Sequence, residues 1–479
     1  MSEFARYEDF GAIGDGLHDD MPAIVACHEY ANEKGIEVYA RDGAEYYIGG
    51  KNLTAIVKTS VHFGNAKFLI DDRELENIKA AIFCIESDED FREVDIKSLS
   101  RDAAEVSFSH TGMTYVRVFN DNHKVYIRKG LNKNSGDSAS DCFMVDGVGT
   151  ILNDINRDYP TVTRAIAKSA EDKPITVDGG VFITTANKAP SKYTYHHRNI
   201  RIRRSNVTVK GLTHYIIGEG EHGAPYEGFI SANECYNFTL DSCLLTPHFI
   251  YWTESQIPGK LVPMGTYGIS LGAVIGVRLI NIRQTIDIND RRYWGLMGSN
   301  FSKDVHLSGC VMSRFDAHCG VTNGSIKDST LGHQGLNLIG FGKFTIENTS
   351  VAGGCFVSLR PDYGSFFDGE VVIRNCKWYA RDVSQSIFGA NNTGDHNFGY
   401  KCMMPKKITV DGLEVIFPEG AENSPLYVLP SYDAEYECGK PYAYVTPEEV
   451  ILKGVTVSCA KDVLPYQNPE QYKDTEIKL

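Results

Sequence analysis

The sequence predicts an all-β fold: a solenoid of stacked β-coils with an N-terminal capping helix and an inserted antiparallel β unit. The main observation is a repeat of short apolar-x-apolar runs, in which Leu307, Ile326 and Ile346 lie 19 and 20 residues apart. Strand-like units that recur at such a period, separated by Gly and Asn, are typical of β-solenoids. One coil cannot bury its apolar face alone, so we expect the coils to stack about 4.8 Å apart.

The capping helix is predicted within residues 8–36. Asp19 or Asp20 can cap its N-terminus, Pro22 lies in its first turn, and Gly35 follows its last turn. An apolar stripe along one face is formed by Ala23, Ile24, Ala26, Cys27, Tyr30 and Ala31. A helix of this kind can cover the open end of a solenoid.

The stretch DFGAIGDGLHDDMPAI in this segment resembles the opening of the pectate-lyase-like superfamily of right-handed parallel β-helices. In that superfamily DFGAxGDGxxDDxxAI precedes a capping helix. The superfamily includes polygalacturonase-like hydrolases, polysaccharide lyases and phage tailspikes. The resemblance implies a right-handed parallel β-helix that binds sugars in a groove along one parallel sheet, and it does not identify the reaction.

One strand pattern, which we call a rung, recurs nine times from residue 191 onward. The rungs lie at 206–213, 237–245, 276–282, 305–311, 325–331, 344–351, 370–376, 406–415 and 449–457. Their matched apolar positions are 31, 39, 28, 19, 20, 27, 37 and 42 residues apart, so the longer intervals must contain loops.

The same pattern divides the chain into four segments. Residues 1–70 contain the cap and first coils, and residues 71–190 break the pattern with alternating strands that predict an inserted β-rich unit. We expect this unit to shield the flank of the helix. Residues 191–460 form the parallel β-helix with the active groove, and the polar segment 461–479 is expected to fray.

Composition narrows the class of partner and the compartment. A net charge of -14 argues against nucleic acid and means that an anionic glycan would need local Arg or Lys. The twelve cysteines lack CxxC and zinc spacing, and Cys243, Cys310 and Cys376 share one rung position, which predicts a buried ladder of free thiols. Free thiols and the absence of an apolar signal core predict a cytoplasmic protein, or a secreted one if a signal peptide has been removed.

Polar side chains follow the rungs in residues 304–363, which predicts an active site on one face of the sheet. Arg314, Asp316 and His318 follow one rung, and His333 follows the next. We assign Asp316, His318 and His333 to catalysis and Arg314 to substrate binding. A hydrogen-bonded turn is the competing explanation.

Two alignments of these rungs are possible. Arg314 lies seven residues after Leu307, and His333 lies seven after Ile326, so Arg314 and His333 would stack, with 315–318 as a bulge. The alternative matches HCGV with HQGL and stacks the two histidines, His318 and His333.

Two further groups complete the predicted site. Arg360, Asp362 and Tyr363 follow a strand on the next coil; Asp362 is a candidate catalytic carboxylate, and Arg360 and Tyr363 are candidates for substrate binding. One coil before Asp316, substrate contacts are predicted for Asp287, Asp290, Arg292 and Trp294, although a solvated turn also explains them. A Gly-rich loop at 218–229 adds a second set of candidate groove residues, Glu219, Glu221, His222, Tyr226 and Glu227.

Hydrolysis is the reaction that the sequence favours, because several Asp residues lie near the predicted face. Two carboxylates about 5 to 9.5 Å apart would act as acid and base or nucleophile. Asp316 with Asp362, or Asp316 with Asp287, would supply them. No cofactor and no metal site are expected for this reaction.

β-Elimination on a uronate is the alternative reaction. A base removes the proton next to the carboxylate, which an Arg or a cation neutralises, and a calcium ion is a candidate for that cation. His318, His333 or Tyr363 would serve as base or acid. A non-catalytic, tailspike-like glycan-binding protein is a third possibility. In each case the expected partner is a poly- or oligosaccharide, with no nucleic acid and no membrane, and a homo-oligomer remains open.

Overall fold

The computed structural model describes residues 4–50, 52–127, 135–190, 194–221, 223–254, 259, 261–360, 363, 365–390, 402–421, 424–432, 444–459 and 461–479. The described chain is a solenoid of parallel strands, which confirms the predicted fold class. Its first strands are Phe4–Arg6, Asp15–Asp19, Glu37–Tyr39, Glu45–Ile48, Ala55–Val57, Val61–Asp71 and Phe83–Ile85.

The α-helix Met21–Lys34 covers the interior of the first coils. Asp20 occupies the N-cap position, but its carboxylate accepts hydrogen bonds from the loop amides of Ile13 and Gly14, at 2.7 and 3.1 Å. Asp19 accepts from the Met21 amide at 3.0 Å. The helix ends at Gly35, whose φ of 65° is the left-handed conformation that glycine adopts without steric cost.

Each coil contributes strands to three parallel sheets. One coil supplies Ile230–Asn233, Tyr236–Asp241 and Leu244–Leu245, and the next supplies Ile269–Gly272, Ile275–Ile280 and Arg283–Gln284. We call the sheet that runs through Ile230, Ile269, Met297, Phe315 and Leu336 the groove sheet.

The remaining strands extend these three sheets, except that Leu426–Leu429 and Val463–Tyr466 pair with each other in a separate two-stranded sheet. Before the coil at Ile230 they are Ile175–Thr185, Ile200–Ile202, Val207–Lys210 and Thr213–Ile217. After Arg283–Gln284 they are Met297–Ser308, Val311–Lys327, Thr330–Asn337, Gly340–Glu347, Ser350–Gly353, Val357–Ser358, Phe367–Ala380, Phe388–Gly389, Lys407–Ile416, Leu426–Leu429, Glu449–Val457, Val463–Tyr466 and Glu476–Lys478. Cys402–Met403 pairs with Tyr444–Val445 in a separate small sheet.

All nine predicted rungs stack in the predicted register. The matched positions Val209, Leu240, Leu279, Leu307, Ile326, Ile346, Ile373, Val410 and Leu452 are paired in sequence from coil to coil. These side chains are buried, so the repeated apolar position is the hydrophobic interior of the solenoid.

Each rung contains a left-handed residue two positions after its matched apolar residue, and a buried or half-buried position follows it. Positive φ angles occur at Gly211, Ser242, Asn281, Gly309, Asp328, Asn348, Asn375, Gly412 and Gly454. Gly, Asn and Asp enter this conformation at least cost, which explains the Gly and Asn between the repeats. Cys243, Cys310 and Cys376 directly follow three of these residues as buried free thiols, as predicted.

The inserted unit is an antiparallel sheet of Arg92–Glu93, Thr114–Val125, Asp137–Val145 and Arg164–Ser169. It docks on the turns that follow the groove sheet. Lys303 of the solenoid and Asp141 of the unit form a buried ion pair at 2.6 Å, and the Tyr115 hydroxyl donates to the Ala273 carbonyl at 2.5 Å.

The structure places two segment boundaries differently from the sequence analysis. Phe83–Ile85 and Ile175–Thr185 are solenoid strands, paired with Ile200–Ile202 and Val61–Asp71, so the insertion is shorter than 71–190. The adjacent glycines Gly179 and Gly180 interrupt the apolar pattern of Ile175–Thr185, which concealed this strand.

The expected fraying of 461–479 is wrong for the described residues. Val463–Tyr466 pairs with Leu426–Leu429, and Glu476–Lys478 pairs with Glu449–Val457, so this segment completes the last coil.

Replacing Lys303 with Met is expected to destabilise the protein by about 3 to 5 kcal/mol, because it leaves the Asp141 charge buried without its partner. Chemical denaturation, followed by the midpoint, measures the effect. Lys327→Met is the matched control. Lys327 is exposed, and its ion pair with Glu347 is long, at 3.8 Å, so it contributes little to stability. Equal midpoints for the two variants would contradict this role of the buried pair.

Candidate functional site

A cleft of about 590 Å³ lies on the groove sheet, beside the hairpin of Tyr251–Glu254 and Leu261–Met264. The side chains that line it include Tyr226, Glu227, Tyr267, Trp294, Asn300, Arg314, His318 and Arg360. Its residues come from successive coils, which is why they are far apart in sequence.

A column of small residues around one buried carboxylate supports the cleft, and its two end members, Ser270 and Asn337, line the cleft. Ser270, Gly298, Asp316 and Asn337 are paired in order across four neighbouring strands of the groove sheet. Gly298 leaves room for an aromatic ring, because a Cβ there would lie 2.6 Å from the Tyr267 ring. Asp316 is therefore reached from both sides by longer side chains of other coils.

Asp316 is the centre of a buried ionic cluster. Arg360 Nη1 lies 2.6 Å from both carboxylate oxygens, and Arg314 Nη2 lies 2.5 Å from Oδ2. The Tyr267 hydroxyl also donates to Oδ2. Asp316 is fully buried, and the two arginines are 6% and 5% exposed, so their charges are largely removed from water. We call these three charged residues the Arg–Asp–Arg cluster.

The cluster keeps Asp316 ionised. Burial by itself raises the pKa of the Asp316 carboxyl, but the charges of Arg314 and Arg360 outweigh it and hold that pKa below the ordinary value of 3.8. Burial raises the pKa of the Tyr267 phenol, which therefore stays protonated as a donor to Asp316. Asp316 is accordingly a fixed anion whose oxygens are already occupied.

Aromatic rings hold Arg314 in place. Its guanidinium carbon lies 4.7 Å from the centre of the Trp294 ring and 5.5 Å from that of Tyr267. Gly295 permits this packing, because a Cβ there would lie 2.8 Å from the Arg314 side chain and its φ is 133°. The indole Nε1 of Trp294 is buried and has no hydrogen-bond partner in the described part of the chain.

His318 stands beside the cluster at a β-bulge. Gly298 pairs with Asp316 and Asn300 with Cys319, so one strand has an extra residue at the position where the sequence predicted a bulge. Nδ1 of His318 lies 3.0 Å from Asn300 Oδ1, and Nε2 lies 3.2 Å from the Tyr363 hydroxyl. If Nδ1–H donates to Asn300, then Nε2 is the unprotonated nitrogen that accepts from Tyr363.

Both predicted stackings of His333 are wrong. The register pairs Arg314 with Gly335 and Asp316 with Asn337, because a bulge after Met312 shifts the strand by two residues. His333 is not among the side chains that line the cleft. Its Nδ1 lies 3.0 Å from the Ile288 carbonyl, and burial lowers its pKa. The structure thus separates His333 from Asp316 and His318.

The acidic turn at the rim is also separate from the cleft. Asp287 accepts from the Asn289 amide at 2.9 Å, and Asp290 pairs with the exposed Arg292 at 2.6 Å. None of these three side chains lines the cleft, whereas Trp294, four residues after Asp290, does. The predicted pairing of Asp316 with Asp287 is therefore not formed. Asp362 lies outside the described residues.

The sequence analysis missed Tyr267 and Asn300. Tyr267 lies two residues before Ile269, the first residue of a groove-sheet strand. Gly295 lies two residues before Met297, which pairs with Ile269, so Tyr267 and Gly295 occupy equivalent positions on adjacent coils. Asn300 pairs with Gly272 and with Cys319, so the column that contains it was readable only once the groove-sheet register was known. The apolar repeat belongs to the sheet that contains Tyr236–Asp241 and Ile275–Ile280, so it carries no register for groove-sheet residues such as these two.

Glu227 marks the other end of the cleft. Its Oε2 lies 2.5 Å from His197 Nε2 and 3.1 Å from Arg201 Nη2. Burial raises the pKa of Glu227, but the hydrogen bond from His197 and the charges of His197 and Arg201 outweigh burial and lower it overall. Three coil steps separate Glu227 from Asp316, about 14 Å along the stack. The two carboxylates are thus too far apart to act on one glycosidic bond.

Two solved structures resemble this chain in fold. The tailspike gp61 of Pseudomonas phage phi297 aligns over 97% of this chain and 82% of its own, with a TM-score of 0.57 and 13% identity. The tailspike gp49 of Pseudomonas phage LKA1 aligns over 95% and 83%, with a TM-score of 0.52 and 11% identity. The chain is a right-handed parallel β-helix. At these identities the likeness extends to the fold alone.

Sequence comparison adds no closer relative to this β-helix: no family model matches it, and no curated protein matches its sequence. Within the described residues, no group of three or more His, Cys, Asp and Glu side chains is arranged to hold a metal ion. No described helix of the β-helix has the length and apolarity to cross a membrane.

Replacing Asp316 with Asn is expected to lower the unfolding free energy by about 3 to 5 kcal/mol at neutral pH, because Arg314 and Arg360 lose a buried counter-charge. A lowered carboxyl pKa stabilises the fold above the unfolded-state pKa, and this contribution is lost as pH falls through the folded-state pKa. The difference between wild type and variant should therefore shrink below pH 3.8.

Thermal unfolding midpoints across a pH series measure this difference. Asp411→Asn, which alters an exposed carboxylate, is the control and should leave the midpoint nearly unchanged at every pH. A constant gap between wild type and Asp316→Asn down to the most acidic pH would exclude ionised Asp316 as its source.

Proposed function

We propose that this protein binds an acidic poly- or oligosaccharide in the cleft and cleaves it by β-elimination next to a uronate carboxylate. The observation that carries the proposal is the Arg–Asp–Arg cluster beside His318. Two cations and one imidazole line the same cleft, and the anion that holds the two cations is buried behind them.

Local charge supports an anionic ligand. The chain has a net charge of -14, yet Arg314 and Arg360 outnumber Asp316 in the cluster by one positive charge. Arg314 donates to Asp316 through Nη2, and a guanidinium has five N–H donors, so donors remain for a ligand carboxylate. Asp316 orients both arginines and offsets part of their burial cost.

The walls of the cleft support a sugar as the carrier of that carboxylate. Tyr226, Tyr267 and Trp294 present aromatic surface to the cleft, against which the apolar face of a sugar ring can pack.

In the proposed reaction Arg314 and Arg360 bind the uronate carboxylate and stabilise the charge that develops when the adjacent carbon loses its proton. His318 Nε2 accepts that proton in place of the hydrogen bond from Tyr363, and Asn300 orients the imidazole through Nδ1. The bond from the neighbouring carbon to the glycosidic oxygen then breaks, a carbon–carbon double bond forms, and the leaving oxygen takes up a proton from water.

Elimination is preferred to the hydrolysis that the sequence favoured, because Asp316 does not have the properties of an acid or nucleophile. Its carboxylate is buried, ionised and occupied by three donors. Asp287 lies outside the cleft, and Glu227 is about 14 Å away along the coils. A paired-carboxylate mechanism would thus depend on Asp362.

A panel of uronate polysaccharides tests the proposal. Elimination produces an unsaturated uronate that absorbs in the ultraviolet, together with new reducing ends. Reducing ends without this absorbance would replace elimination by hydrolysis. Binding without either product would leave a non-catalytic glycan-binding protein, the third class considered above.

Arg314→Met is expected to reduce kcat/KM by about 10- to 100-fold, because a charge-assisted hydrogen bond to the substrate is lost. Steady-state rates on the best substrate of the panel measure the change. Arg374→Met, which alters an exposed arginine on the strand Phe367–Ala380, is the matched control and should retain full activity. Similar rates for the two variants would show that Arg314 does not bind the substrate.

His318→Gln is expected to lower kcat by at least about 100-fold with a smaller change in KM, because it removes the proton acceptor and retains much of the side-chain volume. The control is His306→Gln, an exposed histidine that pairs with Ser325. Full activity of His318→Gln would exclude this histidine as the base, and circular dichroism shows whether each variant is folded.

A further inference from the structure

A second cavity lies between the inserted unit and the solenoid. Its volume is about 390 Å³, and the inserted unit contributes Arg101, His123, Tyr126 and Arg157, while the solenoid contributes Phe341, Tyr363, Phe366 and Met403. Polar contacts fix both walls: Arg101 pairs with Asp368 at 2.8 Å, and Thr322 donates to Asn156 at 2.7 Å. The cavity is therefore a preformed part of the fold.

Arg157 is the unusual residue in this cavity. Its guanidinium carbon lies 5.1 Å from the centre of the Phe341 ring, and its Nε is buried with no hydrogen-bond partner. It makes no ion pair with any residue that the structure describes. The guanidinium therefore has no counter-charge among the described residues, and an acceptor bound in the cavity would supply one.

The other charged residues around the cavity do not balance the positive charge of Arg157. Asp368 is matched by Arg101 and by Lys406, at 2.8 and 3.1 Å. Asp158 is exposed and accepts from the Arg101 amide at 2.8 Å. Burial and the charge of Arg157 lower the pKa of His123, so that imidazole is neutral at neutral pH. An anion is the ligand that completes this arrangement.

The remaining surface of the cavity is aromatic. Phe341, Tyr126 and Tyr363 are 6%, 9% and 4% exposed, so their rings form a floor that water reaches only from the cavity side. A ligand must cover this floor with a flat or apolar face while it presents a negative group to Arg157.

We propose that this cavity is a second ligand site, which binds a carboxylate-bearing ring through Arg157 and the aromatic floor. An aromatic acid and a single sugar acid share this chemistry. Tyr363 forms the wall between the two sites: it lines the cavity, and its hydroxyl contacts His318 of the cleft. The second site therefore does not use Arg314 or Arg360, and it stands or falls independently of the proposed reaction.

Titration calorimetry of the whole chain with benzoate and, separately, with monomeric glucuronate tests the proposal. We expect at least one probe to bind, and Arg157→Met to weaken its binding by at least about tenfold, the loss of one charge-assisted hydrogen bond. Tighter binding of benzoate identifies an aromatic acid as the preferred class, and tighter binding of glucuronate identifies a sugar acid.

Two control variants make the result decisive. Arg164→Met alters another arginine of the inserted unit that stacks on a phenylalanine, 3.6 Å from the Phe119 ring, and it should bind as wild type does. Arg314→Met, which alters the cleft, should also retain binding. If Arg157→Met is poorly folded, Arg157→Lys keeps the charge, removes the planar fork and should bind with intermediate affinity.

Any one of three results would overturn the second site. The first is that wild-type protein binds neither probe, and the second is that Arg157→Met binds as tightly as wild type. The third is that Arg314→Met abolishes binding that Arg157→Met retains. The last result would place the probe in the cleft, and failure of β-elimination in the separate activity assay would leave the cavity proposal untouched.

Discussion

The buried contact between Asp316 and the two arginines is the interaction on which the candidate site depends. One carboxylate, fully removed from water, is the counter-charge of Arg314 and Arg360 and the acceptor for Tyr267. Without this carboxylate, two guanidinium groups would lie close together in a protein interior, where like charges repel strongly. The cluster therefore concentrates positive charge in one cleft of an acidic protein.

Strand stacking is what allows such a cluster to form. Residues 267, 316 and 360 lie on different coils, and the parallel stacking of the groove sheet brings their side chains into contact. The bulges on either side of Asp316 then adjust the direction of individual side chains. One extra residue places His318 beside Asn300, and the shift after Met312 keeps His333 away from the cleft.

The inserted unit does more than cover the flank that the sequence analysis assigned to it. Its buried Asp141 pairs with Lys303 of the solenoid, and Tyr126 packs against Tyr363 with ring centres 5.5 Å apart. Because Tyr363 contacts His318, the insertion supports the cleft from behind. The same contact surface leaves room for the cavity around Arg157, so one docking event shapes both sites.

The sequence by itself determined the parallel coils, the capping helix, the nine rungs with their register and the buried cysteine ladder. These features follow from a local period of apolar and left-handed positions, which is legible in a single chain. Arg314, Asp316, His318 and Arg360 were also found from sequence, because ionisable residues directly after rungs are conspicuous.

Only the tertiary structure decided which of those residues meet. Long and unequal loops separate the groove-sheet strands, and a bulge of one or two residues changes every pairing beyond it. Hence Tyr267 and Asn300 were missed, His333 was misplaced, and Asp287 proved to belong to an exposed turn. The burial that holds Asp316 ionised depends on side chains from several coils, and no local pattern in the sequence contains that information.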